Sequence, residues 1–211
     1  MSSKPGAGHG DQRSSEAFAN AKNVAREPTA CVVLACHAAR LPGPPPLHRV
    51  GRTPDVLQFY REAPEIGDFD HESYIQNAER SFPTLYFKPG ISAEIRRFSQ
   101  AFRVIRPTLT RALTGLDEAL PVVRREHPNT RELPTAFSTR TGFEISPESP
   151  KTHKNRAAMA RREVVIDGIA IVCEWHLKMS PQIDRIHFHF GDHRIGGGRT
   201  IVGIFCDHLP I

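Results

Sequence analysis

The sequence predicts an α+β protein, a small antiparallel sheet packed with two amphipathic helices and preceded by a helical N-terminal extension. Three observations carry that expectation. Between Ile91 and Leu120 the apolar residues recur at steps of three and four, the spacing of one helical face. From Val164 to Phe205 they alternate or run in short β-branched stretches, separated by Asp167-Gly168 and Gly196-Gly197-Gly198. The length of 211 residues with 39% hydrophobic content allows a modest core, sized for one domain with an extension or for two small domains.

In chain order, residues 1–13 are small, polar and glycine-rich and are expected to be disordered. Residues 14–27 read as a weak helix through Phe18, Ala21 and Val24. The apolar run 31–39 fits either a strand or a helix, and Pro44, Pro45 and Pro46 mark an extended connection. Residues 1–50 are therefore an extension with a proline-rich linker. Residues 51–83 form a helical segment. Thr53-Pro54-Asp55 starts a helix with a capping hydroxyl, a first-turn proline and an acid at the positive helix end. A second short helix covers 70–80.

The main domain is expected over 84–211. Thr84 to Gly90 reads as a short strand ended by Pro89-Gly90. Ile91, Ile95, Phe98, Phe102 and Ile105 predict one amphipathic helix, and Pro107 opens another with the stripe Leu109, Leu113, Leu116 and Leu120. Residues 124–163 are polar and read as a long insertion, with no room for regular structure at 146–155. Ser146, Ser149 and Thr152 lie there without a histidine–acid pair fixed by spacing, so no serine nucleophile is read. Strands follow at 164–166, 169–178, 185–190 and 199–205.

The formal charge is +5, with eleven histidines and four cysteines. Basic residues exceed acidic ones over 88–131 and from 151 onward, while the rest is acidic on balance. The second half is thus the part suited to an anion, nucleic acid being the commonest large one. Cys31, Cys36, Cys173 and Cys206 form no C-x-x-C pair and no disulfide framework, which fits a reducing cytoplasm. No apolar run is long enough for a membrane span.

The chemistry-bearing residues gather between Cys173 and His208. Cys173, Trp175, Leu177 and Met179 alternate with Glu174, His176 and Lys178. Ile186, Phe188 and Phe190 alternate with Arg185, His187 and His189. A symmetric hairpin pairs Lys178 with Arg185, His176 with His187 and Glu174 with His189. That register places acids, bases and cations on one face of one sheet.

The order strand, helix, helix, insertion, strands resembles the RelE/ParE-like toxins of bacterial toxin–antitoxin systems. Thr84 to Phe98 looks like the family's opening strand and helix, Trp175 to Phe190 like its strand pair, and Arg199 to Leu209 like its last strand with a trailing histidine. The likeness covers the chain from Thr84 onward, interrupted by the insertion. It implies endoribonuclease action on RNA or ribosome-bound mRNA, a possible antitoxin partner and no membrane association. It also makes Lys178 and Arg185 phosphate-facing cations and His208 a further donor. The ParE branch poisons gyrase instead, and the tyrosine that some family ribonucleases use near the C-terminus has no counterpart here.

Three readings of the polar face stay open. The first is metal-independent RNA cleavage by His176, His187 or Glu174 as base or acid, with Lys178, Arg185 and His208, and with Arg96, Arg97, Arg103 and Arg199 binding substrate. It needs no cofactor. The second is a zinc site of His176, His187, His189 and Glu174, two histidines on one strand facing a third on the next. The third is a binding module whose polar face is merely wet, as one face of an antiparallel sheet commonly is.

Overall fold

The structure, a computed structural model, describes residues 53–210. The expected disordered start, weak helix, apolar run and proline-rich linker lie outside the described residues. From Tyr60 onward the chain forms one compact unit of α+β class.

Two helices come first, α1 (Thr53–Ile66) and α2 (His71–Ser81). Asp70 caps α2 through a capping box: its carboxylate accepts from Ser73 N at 2.8 Å, and Ser73 Oγ accepts from Asp70 N at 3.0 Å. Strand β1 (Leu85–Phe87) and a 3₁₀ turn (Ile91–Arg97) follow. The expected single helix over 91–105 is interrupted here. Phe98 adopts extended φ/ψ, and α3 (Phe102–Thr114) starts only after Ala101. Pro107 does not open a helix but lies inside α3, at the cost of one backbone bond near its start. A π-helical turn at Gly115–Ala119 joins α3 to α4 (Leu120–Glu126). The leucine stripe holds: Leu109, Leu113, Leu116 and Leu120 are fully buried.

The stretch expected to be an irregular insertion is regular. It contains α5 (Leu133–Thr141), β2 (Glu144–Pro147), α6 (Pro150–Lys154) and α7 (Arg156–Ala160). The last two are too short to show helical periodicity, and caps make them. Ser149 Oγ accepts from Thr152 N at 3.1 Å, and Asn155 Oδ1 accepts from Ala158 N at 3.1 Å. Then come β3 (Glu163–Ile166), β4 (Ile169–Val172), β5 (Trp175–Lys178), β6 (Arg185–His189) and β7 (Thr200–Cys206).

The main sheet has five strands in the order β1-β7-β6-β5-β2. It is antiparallel except for β1, which pairs in parallel with β7. β3 and β4 form a separate hairpin across Asp167-Gly168, both at positive φ as a tight two-residue turn requires. The expected continuous strand 169–178 is therefore two strands, and the chain leaves the hairpin at Cys173-Glu174 to enter the main sheet.

That break reflects a sheet buried on both faces. Trp175, Leu177, Ile186, Phe188, Val202 and Phe205 pack against the helices. Ile201, Ile204 and Cys206 pack on the other side with Val164, Ile166, Ile171, Cys173 and Leu209 of the hairpin and C-terminus. A bulge opposite His187/Phe188 restores the alternation of β7. Gly203 sits there because Cys173 Sγ would lie 2.3 Å from any Cβ at that position.

Candidate functional site

The register expected from the alternation is present. His176 lies opposite His187, and Lys178 opposite Arg185. On the other flank of β5, Ser146 lies opposite His176 and Glu144 opposite Lys178. The polar face is not flat. Residues 146–149, Thr152, Arg162 and the C-terminal His208-Leu209 rise around it and line a pocket of about 240 Å³. Its wall includes His176, Lys178, Arg185, His187 and His208, five of the six residues assigned to catalysis from sequence.

The sixth, Glu174, is outside. It marks the departure of the chain from β4, its carbonyl accepts from Glu148 N at 2.9 Å, and its carboxylate lies 3.7 Å from exposed His153. The expected pairing of Glu174 with His189 is not made, because the β5–β6 ladder ends at Trp175 and Phe188. The carboxylate in the pocket belongs to Glu148, immediately after the edge strand β2. Its Oε1 lies 2.7 Å from Arg162 Nε, 3.6 Å from His176 Nδ1 and 3.8 Å from His187 Nδ1. Glu148 and Arg162 are both almost fully buried. Arg162 is held further by bonds from Nη1 to the carbonyls of Ala158 and Pro210, at 2.7 and 3.3 Å. Its Nε is close to the carboxylate but poorly aimed for a hydrogen bond, so the contact is chiefly one of charge.

Both imidazoles are neutral at ordinary pH. Burial pushes the His176 pKa down, Glu148 opposes that, and the positive charges of Arg185, Lys178 and Arg162 add to it. Burial also depresses His187, helped by His176 and Arg162 and opposed by the hydrogen bond of Nδ1 to the Cys173 carbonyl at 3.3 Å. Nε2 of His176 meets Ser146 Oγ at 3.1 Å, while its Nδ1 is buried without a hydrogen-bond partner.

The cations are placed differently. Lys178 Nζ bonds Glu144 Oε2 at 2.9 Å at the exposed rim. Arg185 donates from Nη1 to the carbonyls of Ser180 and Ile183, at 3.1 and 3.0 Å, which fixes its guanidinium on the pocket wall. Four arginines expected to meet substrate are elsewhere, and none lines the pocket. Arg96 contacts His71, Arg97 faces Glu94, and Arg103 is exposed on α3. Arg199 holds the glycine loop through the carbonyls of Gly196 and Leu85 and stacks over Tyr86.

Of the metal set expected from sequence, only His176 and His187 come together. His189 accepts from Gly191 N, and its place is taken by Glu148. One ligand atom from each of Glu148, His176 and His187 lies within 4.8 Å of the others, and among the described residues this is the group that could hold a metal ion. Glu148 escaped sequence reading because it follows a proline in a stretch with no periodicity. The caps at Ser149 and Asn155 were the legible signals that this stretch folds.

No family model, no curated protein and no solved structure matches this chain. Among the described residues, no helix is long and apolar enough to cross a membrane.

Proposed function

We propose that the protein is a toxin-like endoribonuclease that cleaves RNA without a metal ion. One observation carries the reading. The cross-strand pairs His176/His187 and Lys178/Arg185 lie in a concave pocket with a buried carboxylate, where acid–base groups and cations can reach one phosphodiester.

The chemistry uses the 2′-hydroxyl of the RNA itself. His176, whose Nε2 already meets a hydroxyl at 3.1 Å, takes the 2′-hydroxyl proton. The 2′-oxygen attacks phosphorus, the bond to the 5′-oxygen breaks, and His208 at the rim returns a proton to that leaving oxygen. The products are a 2′,3′-cyclic phosphate and a 5′-hydroxyl. Lys178 and Arg185 oppose the charge that grows on the phosphoryl oxygens. Glu148, 3.6 Å from His176 Nδ1, opposes the positive charge that the ring gains with the 2′-hydroxyl proton. A bound phosphodiester adds negative charge beside the histidines, which raises their proton affinity from the depressed value in the free protein.

The test is RNA cleavage by EDTA-treated protein. Cleavage leaving cyclic-phosphate ends is expected, with a loss of about a hundredfold or more in a His176→Ala/Lys178→Ala variant. A folded wild-type protein that binds RNA and leaves it intact would overturn the reading in favour of a non-catalytic binding module.

A further inference from the structure

The contact between His176 and Glu148 is incomplete as it stands. Nε2 of His176 is engaged by Ser146, so Nδ1 is the atom that faces Glu148. The gap of 3.6 Å is too long for a hydrogen bond, and Nδ1 has no other partner although it is buried. A buried polar atom left without a partner is costly. His187 reaches the same carboxylate from the neighbouring strand; its Nδ1, 3.8 Å from Oε1, donates to the Cys173 carbonyl, so Nε2 is the nitrogen it can offer a metal ion.

The three groups each offer one ligand atom within 4.8 Å of the others, a grouping that suits a metal ion. With metal–nitrogen and metal–oxygen bonds of about 2.0–2.2 Å, the ligand atoms of a tetrahedral zinc stand about 3.3 Å apart. Two imidazoles and a carboxylate are zinc ligands, and three protein ligands leave a fourth position for water or a phosphate oxygen. The supports of a ligand set are also present: Arg162 on the carboxylate, Ser146 on one imidazole and the Cys173 carbonyl beside the other. Of the nearby positive charges, Lys178 is paired with the Glu144 carboxylate, which lessens its opposition to a divalent cation, and Arg185 is turned to the backbone carbonyls of Ser180 and Ile183.

We propose that Glu148, His176 and His187 form a zinc-binding site, and that zinc held on His176 Nδ1 shuts off cleavage by keeping the proton of the ring on Nε2, which then cannot take the 2′-hydroxyl proton. The second half of this rests on the RNA-cleaving reading; the first does not.

Full-length protein stripped with EDTA would be titrated with Zn²⁺ against a chromophoric chelator, and with Co²⁺ for its visible absorption. About one ion per chain is expected, with the strong absorption of tetrahedral cobalt. His176→Gln and Glu148→Gln, checked for folding by circular dichroism, should each weaken binding at least about tenfold. His193→Gln, an exposed histidine elsewhere, should not. Absence of binding, or equal affinity in folded His176→Gln, overturns the site. In parallel, one equivalent of zinc should abolish RNA cleavage and EDTA should restore it. Zinc bound with cleavage unchanged overturns the inhibition alone. Absence of cleavage in every state sinks the RNA-cleaving reading and the inhibition with it, and the site still stands or falls by the titration.

Discussion

Acidification to pH 5 is expected to destabilise the fold by an amount traceable to the pocket. Burial is the leading cause that lowers the pKa of both His176 and His187, and it takes His187 down to about 3. In the unfolded chain both return to an ordinary value of about 6.5. A histidine depressed in the native state binds its proton more readily when unfolded. Its contribution to stability is therefore fully present above the unfolded pKa and is lost as pH falls towards the folded one. At pH 5 a histidine with an unfolded pKa near 6.5 costs about 2 kcal/mol, since 1.5 units separate that value from the pH at 1.36 kcal/mol each. The figure depends on the unfolded value, because the folded ones lie below the window. The pair therefore costs about 4 kcal/mol, a large share of a typical total of about 5–15 kcal/mol. His71 and His189, also lowered by burial, act in the same direction. The lowered carboxyls of Asp70, Glu144 and Asp192 lose their contributions at more acid pH. Urea unfolding monitored by Trp175 fluorescence at pH 7.5 and pH 5 measures the difference, and His187→Gln should remove about half of the pair's share, about 2 kcal/mol. A stability that changes by less than about 1 kcal/mol across that window would refute the assignment of the two histidines as buried and neutral.

Further outcomes follow from particular contacts. Glu148→Ala leaves the Arg162 charge buried and should cost about 3–5 kcal/mol in urea unfolding, more than loss of the exposed Glu144–Lys178 pair, worth about 0–1 kcal/mol. Gly203→Ala should cost about 1–3 kcal/mol, because its Cβ would meet Cys173 Sγ at 2.3 Å, and a double-mutant cycle with Cys173→Ala should show coupling of at least about 0.5 kcal/mol. Arg61→Met breaks the buried contact with Asp117, 2.8 Å long, whose carboxylate also accepts from Thr84 N at the head of β1. It should lower the melting temperature without affecting zinc binding, since Arg61 does not line the pocket.

Sequence alone carried the leucine stripe of the main core and two of the three cross-strand pairs. The leucine stripe of α3 and α4 and the alternation of β5 and β6 are local periodicities, and burial on one side enforces them. Hence His176/His187 and Lys178/Arg185 could be paired from the residues, and the Asp167-Gly168 turn followed from its need for positive φ. Tertiary structure decided what those residues face. The alternation of Glu174 looked equal to that of His176, yet the strand ends before it, because Cys173 is drawn over Gly203 into the second core. Glu148 entered the site from a stretch without periodicity, positioned by edge pairing of β2 and by buried Arg162. A period records which side of an element is buried, whereas a pocket depends on which distant segment closes over that side, and long-range packing alone determines it.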